Sequence, residues 1–491
     1  MDYTIIIGLE VHVQLLTESK MFSACGTDFG LLPNTQTDPV ALGLPGTLPV
    51  MNRKAFDLAL KTAVALGAEI ASFTKWDRKN YYYPDLPKNY QISQYDLPFS
   101  LGGSLEVPLR KDGGGGSRCR LTRIHLEEDT GKLIHGNYGF SEVDLNRAGI
   151  PLLEIVTEPD LRNPADAKGC LEELRLLLRY LEVSDCEMQE GSLRCDANVN
   201  LHIQANGKTV ATPIVEVKNL NSFRSVERAL TYEAERQYAR WREDGQTIHD
   251  APKETRGWND ADGVTKPQRQ KETAADYRYF PEPDLVPVVV DQPWIDRIRA
   301  SIGELPAERR QRFETQYGLP AYDADVLVEQ GQDVADYFDE VARSASDPKL
   351  ASNWIQQDVL RSVKESKIKL ADFPVRPEAL ADLINRVHRR ELNTNQGREV
   401  LTKMIASGEP ADDIIKRDGY GMVSDHAAIS AAIEAAIQAN PKAVEDLTSG
   451  KKKPEAVKGF LRGQVMKQTG GKADPALVGE LLEARLAELP G

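Results

Sequence analysis

No run of apolar residues in this 491-residue chain reaches the ~18 that a membrane-spanning helix needs. The N-terminus also lacks the basic, apolar, small-residue succession of a secretory signal. The expectation is a soluble, cytoplasmic protein with no membrane partner. Cysteine is scarce: Cys25, Cys119, Cys170, Cys186 and Cys195 are scattered, odd in number and form no C-x-x-C pair. They support neither a disulfide framework nor a closed zinc site, and they fit a reducing compartment. Common enzyme signatures are missing too. There is no G-x-x-x-x-G-K-[ST] phosphate loop, because Gly470-Gly471-Lys472 lacks the first glycine and the hydroxyl residue. Nor is there a G-x-G-x-x-G dinucleotide fingerprint or a G-x-S-x-G nucleophile elbow. If the protein uses ATP, its phosphate site is of an uncommon kind. Net charge is −14, which argues against indiscriminate binding of nucleic acid.

What the chain does have is a set of strands with chemically capable faces. In Ile5–Leu15, alternation puts Leu9, Val11 and Val13 on one side and Glu10, His12 and Gln14 on the other. Leu121–Glu127 presents Arg123, His125 and Glu127 together, followed at once by Glu128 and Asp129. Leu193–Leu201 separates Cys195, Ala197 and Val199 from Arg194, Asp196, Asn198 and Asn200, and Ile214–Leu220 sets Glu216 and Lys218 opposite Val215 and Val217. A merely solvated face would alternate in the same way but would favour Thr, Lys, Glu and Ser. Asp and Asn are poor strand formers, so their presence points to a working face.

Length suggests about three domains at ~150 residues each. Residues 1–292 are strand-rich, with helices signalled at Asn52, Asn163-Pro164 and Ser222, the last ending at Gly245. Asp112 to Gly116 read as a hairpin tip. From Trp294 onward, helical periodicity takes over, punctuated by Leu305-Pro306, Leu319-Pro320 and Phe373-Pro374. The expected fold is α+β: an antiparallel-sheet-rich domain (1–292), an all-α domain (293–395) and a small α-helical tail (396–491).

Glu154 lies in Pro151–Val156, a segment apolar on both sides of it, as in a strand buried on both faces. A lone carboxylate there is costly unless it is paired or binds a metal. A buried salt bridge, with Arg147, is the competing reading. Carboxylates gathered at strand ends suit Mg²⁺. His12 is an awkward Mg²⁺ ligand; Mn²⁺ binding, support of a ligand, or action as a base are its alternatives. Lys79, Lys88, Arg147, Arg194 and Lys218 form a second, anion-binding constellation, and the three tyrosines after Lys79 suit stacking on a nucleobase or sugar. Near the C-terminus, Lys451, Lys452, Lys453, Lys458, Arg462, Lys467 and Lys472 face a single acid, Glu455, and read either as a solvated helix or as a site for an anionic partner. Gly459-Phe460-Leu461 between them reads as a buried anchor.

At these residues a family resemblance emerges. GLEVHVQ (8–14), RKNYYYPD (78–85), YQISQ (90–94), HLEEDTGK (125–132), DLNRAG (144–149), EGSLRCDAN (190–198), KNLNS (218–222), DYRYFPEPD (276–284) and KGFLRGQ (458–464) resemble the B subunit of aspartyl/glutamyl-tRNA amidotransferases, in order along essentially the whole chain. The resemblance implies a cradle-like kinase domain, a helical domain and a tail that binds tRNA. It also implies a reaction in which ATP phosphorylates the side-chain carboxylate of Glu-tRNA(Gln) or Asp-tRNA(Asn), and ammonia then displaces phosphate. It implies ATP and Mg²⁺, an amidase (glutaminase) partner that makes the ammonia, a small third component of the complex and misacylated tRNA, with the non-discriminating aminoacyl-tRNA synthetase as a further partner. By resemblance, Glu10, His12, Glu127, Glu128 and Glu154 surround the metal, with Glu10, His12, Glu128 and Glu154 catalytic. Charge and motif density assign ATP to Lys79, Arg147, Ser192, Arg194, Asp196 and Lys218, and tRNA to Lys451, Lys452, Lys453, Lys467 and Lys472. Many relatives carry two cysteines three apart where this chain has Asp38-Pro-Val-Ala41, so no zinc is expected; Gln268 replaces a usual methionine, a minor departure. A non-catalytic tRNA-binding adaptor and a metal-dependent acyl or phosphate ester hydrolase are the alternatives. The first leaves Glu154 and the polar strand faces without a purpose, the second the basic tail and the helical half.

Overall fold

The computed structural model describes residues 3–108, 116–136, 139–205, 207–268, 276–420, 426–448, 453–469, 473 and 475–487. The chain divides into two compact units, Met1–Glu308 and Arg309–Gly491. The first is built on an eleven-stranded mixed sheet. Its long central strands are β1 (Tyr3–Gln14), β2 (Ser117–Glu128), β3 (Pro151–Thr157), β4 (Leu193–Ala205), β5 (Val215–Lys218), β6 (Glu254–Asn259) and β7 (Val264–Pro267). Their spatial order is β7-β6-β5-β4-β1-β3-β2. Every neighbouring pair in this run is antiparallel except β5 and β6, which are parallel. That pair needs a crossover, and the helix α3 described next supplies it.

Three helices cover the apolar face, each started by the residue the sequence offers as a cap. Asn52 accepts the N–H of Ala55 at the head of α1 (Arg53–Ala65), Asn163 that of Asp166 in α2 (Pro164–Tyr180), and Ser222 that of Ser225 in α3 (Phe223–Asp244). Gly245 closes α3 at φ 65°, a left-handed turn that glycine takes without strain. Leu9, Val11 and Val13 on β1 bury fully against this layer, with Phe56 and Leu60 of α1 and Leu171, Leu174 and Leu178 of α2. Each such aliphatic side chain contributes about 1.5–3 kcal/mol through burial. The opposite face of β1 is thereby fixed as the polar one. Helix α4 (Gln292–Ala300) stays with this unit: Trp294 packs on Phe56 at 5.2 Å, lies under Arg53 and donates its indole N–H to Asp57. A small three-stranded sheet, Phe280–Pro281, Asp77–Asn80 and Tyr90–Ser93, also belongs to the first unit.

The division between units falls inside α5 (Pro306–Tyr317). The described residues of the second unit form helices α6 (Ala321–Glu329), α7 (Gln332–Ser344), α8 (Pro348–Trp354), α9 (Leu360–Ser366), α10 (Pro377–His388), α11 (Thr394–Ser407), α12 (Ala411–Asp418), α13 (His426–Ala439), α14 (Pro441–Thr448), α15 (Pro454–Gln468) and α16 (Pro475–Ala487), and no strand. A π-turn, Ile355–Val359, joins α8 to α9. The last helices share a core of their own around Ile433, Val457, Leu461, Val465 and Leu482. There the expected anchor is corrected: Leu461 is buried, but Phe460 is 47 % exposed. Positions 457, 461 and 465 repeat every four residues on one face of α15, and Phe460 lies about 100° away from Leu461. The hairpin tip expected at 112–116 lies outside the described residues except for Gly116, as do Lys451, Lys452 and Lys472; Lys453 and Lys467 are exposed on α15 and its cap.

Candidate active site

Register assembles the site. Residues directly opposite one another in an antiparallel pair share a face. His12 on β1 stands opposite Glu154 on β3 and Arg194 on β4, and Glu154 stands opposite His125 on β2. The row across the sheet therefore reads Arg194, His12, Glu154, His125. One step along, Glu10 faces Asp196; one step the other way, Gln14 and Glu127 flank Leu152. His12 Nε2 lies 3.4 Å from Glu154 and 3.7 Å from Glu127. His125 Nε2 lies 3.3 Å from Glu154 and 3.9 Å from Glu127.

These contacts shift two of the groups. Burial works to raise the Glu154 carboxyl, but His125 and His12 outweigh it and hold the group well below the usual carboxylate range. Burial works to lower His12, but Glu154, Glu127 and Glu10 hold the imidazole above its ordinary value. Glu154 is indeed paired, though not with Arg147 as the salt-bridge reading supposed. Arg147 precedes the strand and donates to the carbonyls of Thr130 and Gly131, while the nearest guanidinium to Glu154 is that of Arg123 at 3.7 Å.

A cavity of about 390 Å³ opens beside this row, lined among others by Glu10, His12, Glu127, Lys79, Arg194, Asp196 and Lys218. Lys218 pairs with Asp196 and lies 3.7 Å from Glu216. Arg194 and Gln14 both donate to Asp129 at 2.8 Å. Burial pushes the Asp129 carboxyl up, and Arg194 and Arg147 together bring it below the ordinary range. Lys79 has no carboxylate within 4.0 Å among the described residues. Burial opposes its charge, yet Glu127 and the surrounding tyrosines and Glu154 hold its pKa above the ordinary value.

Three of the expected residues lie apart from this row. Glu128 follows Glu127 on the strand and points to the other face, where Lys88 and the Ile92 N–H take its carboxylate. Arg147 donates to the carbonyls of Thr130 and Gly131 and lies 3.6 Å from Asp129. Ser192 accepts the Glu187 N–H at 2.8 Å and bonds Asp185, closing a loop. Conversely, His125, Asp129 and Gln14 join the site without having been singled out for a role. Their signal was available: each shares a strand face, or the residue next to one, with a residue that was.

Two sets of three groups, Glu10, His12, Glu154 and His125, Glu127, Glu154, bring ligand atoms within 4.8 Å of one another. Each set joins two carboxylates to one imidazole, and the two share Glu154; either could hold a divalent cation, the oxygens suiting Mg²⁺ or Mn²⁺ and the nitrogen favouring Mn²⁺. His125 Nδ1 is buried without a hydrogen-bond partner among the described residues.

The family model described as "GatB/GatE catalytic domain" matches residues 5–296, and "GatB domain" matches 336–486. A relative from Rhodopirellula baltica is 51 % identical over 489 residues, covering 99 % of this chain and 97 % of its own length. One from Moorella thermoacetica is 50 % identical over 489 residues, covering 99 % and 100 %, and one from Carboxydothermus hydrogenoformans is 46 % identical over 492, covering 99 % and 100 %. All three are named as the B subunit of an aspartyl/glutamyl-tRNA(Asn/Gln) amidotransferase. With matching models over both units and half of its residues identical along nearly its full length, the chain belongs to the family of aspartyl/glutamyl-tRNA(Asn/Gln) amidotransferase B subunits.

Proposed function

We propose that this chain is the carboxylate-activating subunit of an ATP-dependent tRNA amidotransferase, working with an amidase subunit and a small third subunit on misacylated Glu-tRNA(Gln), Asp-tRNA(Asn) or both. A carboxylate resists attack by ammonia because its leaving group would be oxide. An oxygen of the side-chain carboxylate therefore attacks the γ-phosphorus of ATP, ADP departs, and the acyl phosphate that forms has a good leaving group. Ammonia attacks its carbonyl carbon, inorganic phosphate leaves with the bonding electrons, and the nitrogen loses a proton to give the amide.

Phosphoryl transfer asks for position and charge neutralisation more than for covalent help. Glu10, His12, Glu127 and Glu154, with His125 behind them, would hold Mg²⁺ or Mn²⁺; a bound cation supplies charge neutralisation on the transferred phosphoryl group. Glu128, engaged by Lys88, steadies the end of β2 beside them. Lys79, Arg194 and Lys218 meet the phosphates, with Asp196 orienting Lys218. Arg147 fastens the turn that carries Asp129, and Ser192 closes the loop that leads into the strand of Arg194. The observation that carries the reading is the convergence on one cavity of Glu10, His12 and Glu127 with an ammonium, Lys79, that no carboxylate among the described residues pairs with.

The test uses the complex reconstituted with its amidase and small subunits, ATP and Glu-tRNA(Gln) or Asp-tRNA(Asn). Amide formation on the tRNA is expected from wild type. Glu10→Gln, which keeps the shape and removes the charge, should abolish tRNA-dependent ATP cleavage while leaving tRNA binding nearly intact. A wild-type complex that hydrolyses ATP without forming amide on either tRNA would refute the assignment.

A further inference from the structure

A row of tyrosines leads away from the cavity. Tyr81 lines it. The Tyr81 ring lies 5.8 Å from Tyr277, Tyr277 lies 5.9 Å from Tyr279, and Tyr279 stacks on Tyr95 at 4.1 Å with 7° between planes. The row is held by its backbone. The Asn80 side chain donates to the carbonyls of Tyr277 and Arg278 at 3.1 and 2.9 Å, and the Asn80 N–H also donates to Tyr277 O. Arg278 sits at φ 46°, a left-handed conformation that a non-glycine residue keeps only where its surroundings impose it.

Rings that served only as core would be covered. Here Tyr95 is 50 % exposed, and Tyr82, beneath the Arg278 guanidinium at 5.9 Å, is 68 % exposed. Charge points the same way. Arg78 is neutralised by Glu282 and Asp284, whereas no carboxylate pairs with Arg278 among the described residues. An exposed ring backed by a second, stacked one, beside a cation that no described carboxylate neutralises, suits an unpaired nucleic-acid strand: a base stacks on the open face of Tyr95, and a phosphate is met.

We propose that Tyr95 and Tyr279 form a platform for the unpaired 3′-terminal nucleotides of the aminoacyl-tRNA, with Arg278 meeting a backbone phosphate and the esterified amino acid passing Tyr81 into the cavity. This rests on the function proposed above and names how its substrate is held. The adenine of ATP is the other base within reach of the site. It brings one ring and a cluster of phosphates that belong with Lys79, whereas the platform has several rings and its own isolated charge.

The experiment uses the reconstituted complex with Tyr95→Ala, Tyr95→Phe and Arg278→Gln, and Glu-tRNA(Gln) carrying 2-aminopurine at its 3′ terminus. Tyr95 is half exposed, so truncation spares the core. Tyr95→Ala should raise KM for the tRNA by about tenfold or more, with KM for ATP unchanged and Tyr95→Phe near wild type. Quenching of 2-aminopurine on binding should weaken in Tyr95→Ala, and Arg278→Gln should lower the slope of log K against log salt by about 0.7. Unchanged tRNA KM and quenching in Tyr95→Ala would overturn the platform, as would a rise confined to KM for ATP. If wild type forms no amide, the functional reading fails by itself; quenching still reads whether the platform takes the terminal base.

Discussion

On the proposed metal reading, a cation at His12 competes with a proton. Glu154 and Glu127 hold its imidazole above the ordinary pKa, and only the neutral ring can ligate. Affinity for Mn²⁺ should therefore rise with pH, by up to about tenfold per unit below the His12 pKa, and level off above it. Calorimetry in two buffers of different ionisation enthalpy should detect release of up to about one proton per ion near pH 6. Glu154→Gln removes the main support of the imidazolium, so release should shrink along with affinity; no release from wild type would exclude His12 as a ligand. At this scale the sequence marked residues that need a partner better than it named the partner. A carboxylate amid Pro151–Val156 had to be compensated, and it is, but its partners come from β1 and β2 through a register that no local pattern encodes. Glu127 and Glu128 were separable locally: adjacent acids on a strand must part company, and alternation sets Glu127 with Arg123 and His125 while Lys88 takes Glu128 on the other face.

Two helical glycines show how an element's surroundings set the sign of one substitution. Gly397 near the start of α11 lies under Trp354 and Val387, and a Cβ there would come within 2.7 Å of both. Trp354 is 2 % exposed and has no room to yield. Gly459 on α15 has nothing within 4 Å of its Cβ position. Gly397→Ala should destabilise by about 1–2 kcal/mol, overpacking of ~1–3 kcal/mol exceeding alanine's helix preference of up to ~1. Gly459→Ala should stabilise by about 0.5–1 kcal/mol. Urea unfolding of the full chain, followed by tryptophan fluorescence for the first and circular dichroism for the second, checks both. Elements were the most legible level. Asn52, Asn163 and Ser222 start their helices because their side chains satisfy N–H groups that nothing else can reach, a purely local matter. Phe460 shows the other side: the repeat Val457, Leu461, Val465 marks the inward face, and the adjacent Phe460 falls off it.

For the molecule as a whole, the proposed division of labour has two measurable consequences. The isolated chain should release no ammonia from glutamine, whereas the reconstituted complex should amidate tRNA when given an ammonium salt instead. It has no nucleophile elbow; burial pushes the Cys186 thiol up to about 12 and Cys195 well above its ordinary value, so neither offers a thiolate. Glutaminase activity in the purified chain would overturn that division. The second consequence concerns the proposed tRNA-binding role of the tail, which concentrates positive charge in a chain of net charge −14. Replacing Lys451, Lys452, Lys453 and Lys467 with Ala should weaken tRNA binding and reduce its salt slope by roughly 1 for each phosphate no longer met, with ATP affinity unchanged. An unaltered slope would leave these lysines as solvated surface.

The place of β1 in the sheet also bears on how the protein is made. It is the first strand in the chain, yet its two neighbours are β3, at Pro151–Thr157, and β4, at Leu193–Ala205. On a ribosome adding ~5–20 residues per second, the strand bearing Glu10 and His12 waits roughly 10–40 s for both edges to be matched. During that interval its apolar face, Leu9, Val11 and Val13, has no finished sheet to sit in. The row that joins Arg194 and His12 to Glu154 and His125 thus cannot be complete until about two thirds of its unit has been made, and a shorter chain lacks it.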